Sequence, residues 1–565
     1  MSDTSVRSRR PLVRSLPVVP ALRLARPSDT WFKPALSVVA ASAVPHLSLL
    51  AAGRLDLVMY TMAGSLCALY GHGLPYARRA RAVAGVVLGM AAGLALALLA
   101  ASLTGSTAVL IAVGALLAAA QKVLCDATRI GPPGPVIFTF VSSAALFAPQ
   151  RLGQIPGHLA LTLAAGAVAW LVAVAPALLR REGPERRAVA RALAAAADRA
   201  EDPGARTRNG AAVAVHAAWQ CLLASGRPTP VRRSLERLVA HAEAACAVPR
   251  PGGDAADVDR LRTWAALTRA RGPLPEPPPA PGSADGLHGI DAERAELRTP
   301  AGRRAARRAL LRRLGPGSPL LPVAARTLTG CAFAGYLCAA LGVGRPYWAI
   351  VTAASLCQAS LTLSWNRALQ RTLGNLVGVF VFAAVLPLSR TGPLALVCCC
   401  LFFSFAAEAL ITRNYWLGSV AVTPMALLVL EFGGTHPAGE LIGDRVLDTL
   451  LGAATGFLAA TLVTNRRAAG RVELALDAAE RARADVERAH SGQGAPPAVR
   501  DRARRALTAS LVELREAGDT AAGEWRQRAL PEQRLLAAEQ AGHRTLAATA
   551  QRRGPTGHAP SIGAE

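Results

Sequence analysis

Residues 345–386 read RPYWAIVTAASLCQASLTLSWNRALQRTLGNLVGVFVFAAVL, and their reading decides the fold. Arg345-Pro346-Tyr347-Trp348 opens an apolar run to Leu363; Trp365, Asn366, Arg367 and Arg371 follow; Gly374 and Gly378 then lie inside a second apolar run. Each run has about 18 to 20 uncharged residues, enough at 1.5 Å per residue to cross roughly 30 Å of hydrocarbon. The expectation is a transmembrane hairpin with a short basic turn.

A second copy lies upstream. Ala63-Gly-Ser-Leu-Cys67 matches Ala353-Ala-Ser-Leu-Cys357 at a shift of 290 positions (353 minus 63), and after one residue of slippage Arg78, Gly85 and Gly89 fall opposite Arg367, Gly374 and Gly378. Tandem repeats in an apolar chain are a common plan of membrane transporters. The first copy has Leu55 and Asp56 where the second has Arg345 and Pro346, so the halves need not contribute equally to a pathway.

Composition agrees with this plan. The chain is 52% hydrophobic with a mean hydropathy of +0.30, yet its formal charge is +26, a combination natural to greasy spans alternating with basic aqueous regions. Only Lys33 and Lys122 are lysines, and the remaining cations are arginines of an Ala-rich chain, as in a GC-rich bacterial genome. The charge therefore gives no reason to expect a nucleic-acid partner. The ten cysteines have neither disulfide-framework nor zinc-knuckle spacing and read as reduced packing residues.

From the hairpin outward, the chain divides into five parts. Residues 1–33 form a basic arm expected to be flexible and to touch anionic headgroups. Residues 34–180 hold six spans, near 35–52, 55–74, 83–103, 106–121, 132–149 and 155–179, the first retained as a span and not cleaved as a signal. Residues 181–320 are a helical cytosolic region with a Pro-rich linker at Pro273–Pro281. Residues 321–465 hold six more spans, near 322–342, 345–363, 372–388, 393–411, 414–432 and 442–464. Residues 466–565 are a helical cytosolic tail, with helical spacing at Leu507, Leu511 and Leu514 and a disordered end.

Arginine-bearing loops place both termini in the cytosol of a bacterial inner membrane. The apolar stretch Ala211–Ser225 is about 15 residues long and holds His216 and Gln220, so it reads as a buried helix of the cytosolic region and not as a span. The fold class is thus an all-α membrane protein of two six-span repeats with helical cytosolic regions.

The Arg345-Pro-Tyr-Trp-Ala start, the Arg367 to Arg371 turn with Gly374 and Gly378, and the set Arg445, Asp448, Thr449 and Gly452 resemble the fusaric acid resistance family, also called the aromatic acid exporters. The resemblance covers residues 322–465 well and the first six spans more weakly. It implies an inner-membrane protein exporting aromatic carboxylic acids; plant aluminium-activated malate channels are distant relatives.

Ionisable residues within hydrocarbon are costly and so are candidates for function. Glu408 either exchanges protons or pairs with Arg413 or an arginine of a neighbouring loop. Arg445 and Asp448, three apart on one helix face, form either an ion pair or a proton relay. Arg371 either grips a substrate carboxylate or anchors the inner interface, and Asn375 bonds a neighbouring helix or a ligand. Tyr347 and Trp348 are either interfacial belt aromatics or a stacking surface for an aromatic substrate. Gly85, Gly89, Gly374 and Gly378 read as close helix-packing faces.

His216 with Cys221 and His241 with Cys246 are five apart, about 140° round a helix, and make no metal clamp. Lys33 and Lys122 follow Phe32 and Gln121, so no Walker A loop is present. No cofactor is expected, and no nucleophile with a base marks an enzyme. The expected partners are membrane lipid and small organic anions, and a homo-oligomer is compatible with the sequence. The reading is a proton-driven exporter of amphipathic or aromatic acids; an anion channel and a non-transporting scaffold remain alternatives.

Overall fold

The protein is seen in a computed structural model that describes residues 18–25, 30–247, 255–270, 272–277, 288–315, 318, 320–342, 344–463, 467–491, 495–524 and 531–551. Regular structure among them is entirely helical. Eight helices are long and apolar enough to cross a membrane, and three shorter apolar segments, 55–69, 136–146 and 415–431, lie among them.

The first membrane segment comprises α1 (Phe32–Ala51), α2 (Val58–Ser65), α3 (Tyr76–Leu103), α4 (Thr107–Thr128), α5 (Val136–Leu146) and α6 (Ile155–Val174). A helical domain begins with α7 (Gly183–Glu201), α8 (Ala205–Ala224), α9 (Pro230–Ala247), α10 (Ala255–Arg269), α11 (His288–Arg298) and α12 (Pro300–Leu314). The second membrane segment comprises α13 (Leu321–Ala340), α14 (Pro346–Leu356), α15 (Leu361–Ser389), α16 (Pro393–Ile411), α17 (Tyr415–Glu431) and α18 (Ala438–Leu462). Helices α19 (Arg467–Ser491), α20 (Pro497–Ala522) and α21 (Glu532–Gln551) complete the chain.

Helix pairings run in the same order in both segments. In the first, α2 packs on α1 and α6, α3 on α5 and α6, and α4 on α5; in the second, α14 packs on α13 and α18, α15 on α17 and α18, and α16 on α17. The two segments meet reciprocally, α1 on α16 and α13 on α4. Leu88, Phe380 and Phe402, each more than 60% exposed, face outward, as apolar side chains do where lipid is the solvent.

The opening stretch departs from a simple hairpin. Helix α14 has only 11 residues, about 16 Å, and stops at Cys357, whose ψ of 89° leaves the helical region. Ser360 then caps α15, accepting from the Leu363 N–H at 3.4 Å. Arg367 and Arg371 therefore lie inside α15 and not in a turn. Helix α14 does not cross the membrane alone, and neither does α5, also 11 residues; hydropathy marks both as buried without saying in what.

The glycine pairs also divide. A Cβ at Gly374 would sit 2.5 Å from the Trp416 carbonyl oxygen and one at Gly378 2.8 Å from that of Val420, so α15 and α17 touch backbone to backbone there. Gly85 has open space around it and Gly89 meets only Phe138 at 3.4 Å, so this pair is not a close-packing face.

Helices α7–α11 and α19–α21 form one helical domain. Arg504 pairs with Glu243 at 3.0 Å and Arg505 with Glu293 at 2.7 Å across the two parts of the chain. Helix α8, which contains Ala211–Ala224, packs against α7, α9 and α20.

This domain is pinned to the membrane part beneath α14. Both carboxylate oxygens of Glu524 accept from Arg326 Nη2 at 2.9 Å, Arg326 Nε donates to the Val463 carbonyl at 2.6 Å, and Thr362 donates through both its N–H and its hydroxyl to the Gly523 carbonyl. Arg326 is completely buried.

The arm expected to be free is held in part. Gln370 and Asn414 donate to the Ala21 carbonyl, Trp416 Nε1 to that of Leu22, and the Ala25 N–H to that of Arg413, so residues 21–25 lie over the ends of α15 and α17. Residues 1–17, Pro278–Pro281 of the linker and 552–565 of the tail lie outside the described residues.

Candidate solute site in the second membrane segment

Helix α15 carries Arg367, Arg371 and Asn375 at four-residue spacing, one above another on a single face. Helix α18 turns Thr449 toward it, with Arg445 one turn along the same helix and Asp448 directed at α13 and α14. The two faces meet where Asn375 Nδ2 donates to Thr449 Oγ1 at 3.0 Å and accepts through Oδ1 from Thr423 Oγ1 at 2.9 Å. Asn375 thus ties α15, α17 and α18 together, and both its polar ends are satisfied.

On the helical-domain side of that knot, Arg371 Nη1 donates to the Tyr415 hydroxyl at 2.9 Å. The Arg367 guanidinium covers the Tyr415 ring at 3.8 Å, a cation–π contact. Arg371 is buried and its Nε has no partner. It is therefore not an interfacial anchor dissolved in headgroups.

On the other side, Arg445 is 1% exposed, with its guanidinium 4.0 Å above the Trp348 ring and both Nε and Nη1 without a hydrogen bond. Arg445 and Asp448 form no ion pair, contrary to the expectation from their spacing. Asp448 Oδ2 instead accepts the Arg345 N–H at 2.9 Å, capping α14, and its Oδ1 accepts from Cys338 Sγ at 3.2 Å. Gly344, at φ +67°, leaves the space this carboxylate fills. Asp448 is thus a fixed structural acceptor, and Arg445 is left with charge and donors to spare.

Tyr347 and Trp348 are 7% and 2% exposed, so they are not belt aromatics facing lipid. They wall a small pocket of ≈ 30 Å³ with Met59, Phe140, Ala426 and Leu430. Phe140 lies 5.4 Å from Trp348 between ring centroids. Trp348 therefore belongs both to an apolar, aromatic cavity and to the stack with a buried cation.

Glu408 is half-buried on α16 and has no hydrogen-bond or ion-pair partner, so the pairing with Arg413 does not form; Tyr70 of the first segment is in its electrostatic neighbourhood. It stands apart from the Arg445 pocket.

Two further groups went unnoticed in the sequence. His46, 1% exposed within α1, has neither ring nitrogen bonded. Arg326 sits one turn into α13. The rule that singled out Glu408, an ionisable residue within an apolar run, would have found both.

These features fall within a recognisable segment. Residues 331–459 match the family described as fusaric acid resistance protein-like. The fusaric acid resistance-like segment runs from Cys331 in α13 to Ala459 in α18 and so contains the Arg371–Asn375–Arg445 row, the α14 aromatics and Glu408.

An "Uncharacterized membrane protein YvaC" of Bacillus subtilis (strain 168) is 30% identical over 189 residues, 33% of this chain and 29% of that protein. An "Uncharacterized protein" of Haemophilus influenzae (strain ATCC 51907 / DSM 11121 / KW20 / Rd) is 32% identical over 117 residues, 20% of this chain and 16% of that one. The chain spans less than a third of the length of these curated relatives. No solved structure matches. The long apolar helices, together with the likeness to a membrane protein, make the chain a multi-pass membrane protein.

Proposed function

We propose that the chain exports amphipathic or aromatic organic acids from the cytosol, with the fusaric acid resistance-like segment as the solute path. One observation carries this reading: a buried guanidinium with unpaired donors lies against the wall of an aromatic cavity. A guanidinium binds a carboxylate through parallel charge-assisted bonds, and the pocket lined by Phe140, Tyr347 and Trp348, ≈ 30 Å³ in this structure, would widen to take a flat apolar body between those rings. Among the described residues Arg445 has no carboxylate within ion-pair distance, Asp448 acting on it only from further off, and a transient anionic ligand would relieve the cost of its burial.

In this scheme Arg371 receives the anion from the cytosolic end, where Arg367 and Tyr415 hold its surroundings in place, and Arg445 with Trp348 forms the deeper station. Glu408, unpaired in an apolar helix, is the group proposed to exchange protons with the gradient.

Calorimetric titration of the purified full chain with an aromatic carboxylate and with the corresponding neutral amide tests the reading. The carboxylate should bind and the amide should not, and Arg445→Gln should weaken binding at least about tenfold, the worth of one hydrogen bond to a charged group. Equal binding of acid and amide would discard it.

Two buried arginines in one row, neither fully bonded, also suit an anion channel. Unitary currents in planar bilayers would favour that alternative; gradient-linked flux without such currents favours the exporter.

A further inference from the structure

A second set of unpaired cations lies where the first membrane segment meets the helical domain. Lys33 stands in the first turn of α1, Arg79 in the first turn of α3, Arg180 in the stretch joining α6 to α7, and Arg187 in α7. Arg187, Arg180 and Arg79 are the charged neighbours of Lys33, and Arg187 with Tyr76 are those of Arg79. The Tyr76 hydroxyl and Arg187 Nη1 both come within 4 Å of the point where a Gly183 Cβ would sit, which places them beside one another.

Among the described residues none of the four cations makes an ion pair. Arg79 is 5% exposed; it donates through Nη2 to His72 Nδ1 at 3.2 Å, and its Nε has no partner. His72 Nε2 in turn donates to the Ala68 carbonyl at 3.1 Å, so the ring is neutral and cancels no charge. Glu185, which acts on Tyr76 electrostatically, accepts through Oε1 from Arg232 at 3.2 Å and Ser225 at 2.9 Å and makes no ion pair with any of the four. Four positive charges therefore converge with no acid among the described residues committed to them, an arrangement that repels itself unless an anion is present.

Location narrows the anion. The cations cap apolar helices, and Trp31, Phe32, Leu178 and Leu179 expose 37%, 40%, 86% and 82% of their surface at the same boundary. Cations at phosphate depth beside exposed apolar side chains match a molecule with a charged head and hydrocarbon tails.

We propose that Lys33, Arg79, Arg180 and Arg187, with the Tyr76 hydroxyl, bind the phosphate oxygens of an anionic glycerophospholipid and so join the helical domain to the first membrane segment. Arginines and a hydroxyl supply donors only, and a phosphodiester supplies acceptors only. Arg187 belongs to the helical domain and Arg79 to a membrane helix, so a shared phosphate bridges two parts of the chain.

Native mass spectrometry of the full chain, freed of lipid and titrated with phosphatidylglycerol, phosphatidylcholine or inorganic phosphate, tests this. Phosphatidylglycerol should bind preferentially, with affinity lowered about tenfold in Arg187→Gln and further in the double variant Lys33→Gln/Arg187→Gln. Arg500→Gln, in the distant helix α20, should match the wild type.

Binding of inorganic phosphate that the variants abolish, without preference among lipids, would keep the cation site and replace its lipid by a soluble anion. Equal binding of the two lipids with no phosphate binding would overturn the proposal. Should the substitutions at the half-buried Lys33 and Arg187 fail to fold, Arg180→Gln at the exposed member gives the same readout, and an unchanged affinity there overturns it as well.

Discussion

Arg326→Met should be among the most damaging single changes in the chain. The guanidinium is fully buried, gives Nη2 to both oxygens of Glu524 at 2.9 Å and Nε to the Val463 carbonyl at 2.6 Å, and joins α13 to the segment after α20. Removing it leaves a carboxylate with a 3% exposed side chain facing an apolar thioether. Breaking a buried pair from one side costs about 3–5 kcal/mol, because the remaining charge is uncompensated.

Glu524→Leu alone should cost a similar amount, leaving Arg326 only the Val463 carbonyl. The double variant Arg326→Met/Glu524→Leu should cost less than either, since no charge is then stranded, giving a coupling energy of at least about 3 kcal/mol. Unfolding in mixed detergent–denaturant micelles, followed by tryptophan fluorescence, measures the cycle. Single losses below about 1 kcal/mol, or losses that simply add, would refute the view that this pair pins the helical domain beneath α14.

Other outcomes follow from particular contacts. Gly374→Ala should destabilise by about 1–3 kcal/mol, because its Cβ would meet the Trp416 carbonyl at 2.5 Å, whereas Gly85→Ala should be neutral or stabilise by up to about 1 kcal/mol; thermal midpoints compare them. Burial, aided by Arg208 and Arg199, pushes His543 of the helical domain from 6.5 down to about 4, so the unfolded chain binds the extra proton first. Stability of that domain should be fully present above pH 6.5 and fall by on the order of 2 kcal/mol as pH drops from 6.5 toward 4, while His543→Gln flattens that slope; parallel slopes in hydrogen exchange would contradict it. Glu408→Gln should abolish gradient-dependent efflux while insertion is unchanged, and normal efflux in that variant removes Glu408 from the mechanism.

What the sequence conveys and what it hides divide along a physical line. Hydropathy and length identify α4 and α16 well, and the existence but not the start of α3 and α15, because a long uncharged run has few fates other than lipid. They misjudge α14, whose eleven residues are as apolar as a span but are solvated by protein; an apolar run reports burial and not the burying medium. Tyr347 and Trp348 moved from belt to cavity wall for the same reason.

Helix-face spacing brought Arg445 and Asp448 to one side but said nothing of the Arg345 N–H that claims the carboxylate from 103 positions away. The contact between Arg326 and Glu524, 198 positions apart, had no local signal at all. By contrast, Arg371 and Asn375 were legible, since one helix face carries both and only their partners on α17 and α18 were hidden.

The proposed role of the buried Arg445–Trp348 station is to carry an organic anion across the membrane. Inverted membrane vesicles with an imposed proton gradient and a radiolabelled aromatic carboxylate test it most directly. Vesicles with the wild-type chain should accumulate the acid and lose it when the gradient is collapsed, and vesicles with correctly inserted Arg445→Gln should accumulate no more than those without the protein. Accumulation by Arg445→Gln equal to the wild type would contradict the account.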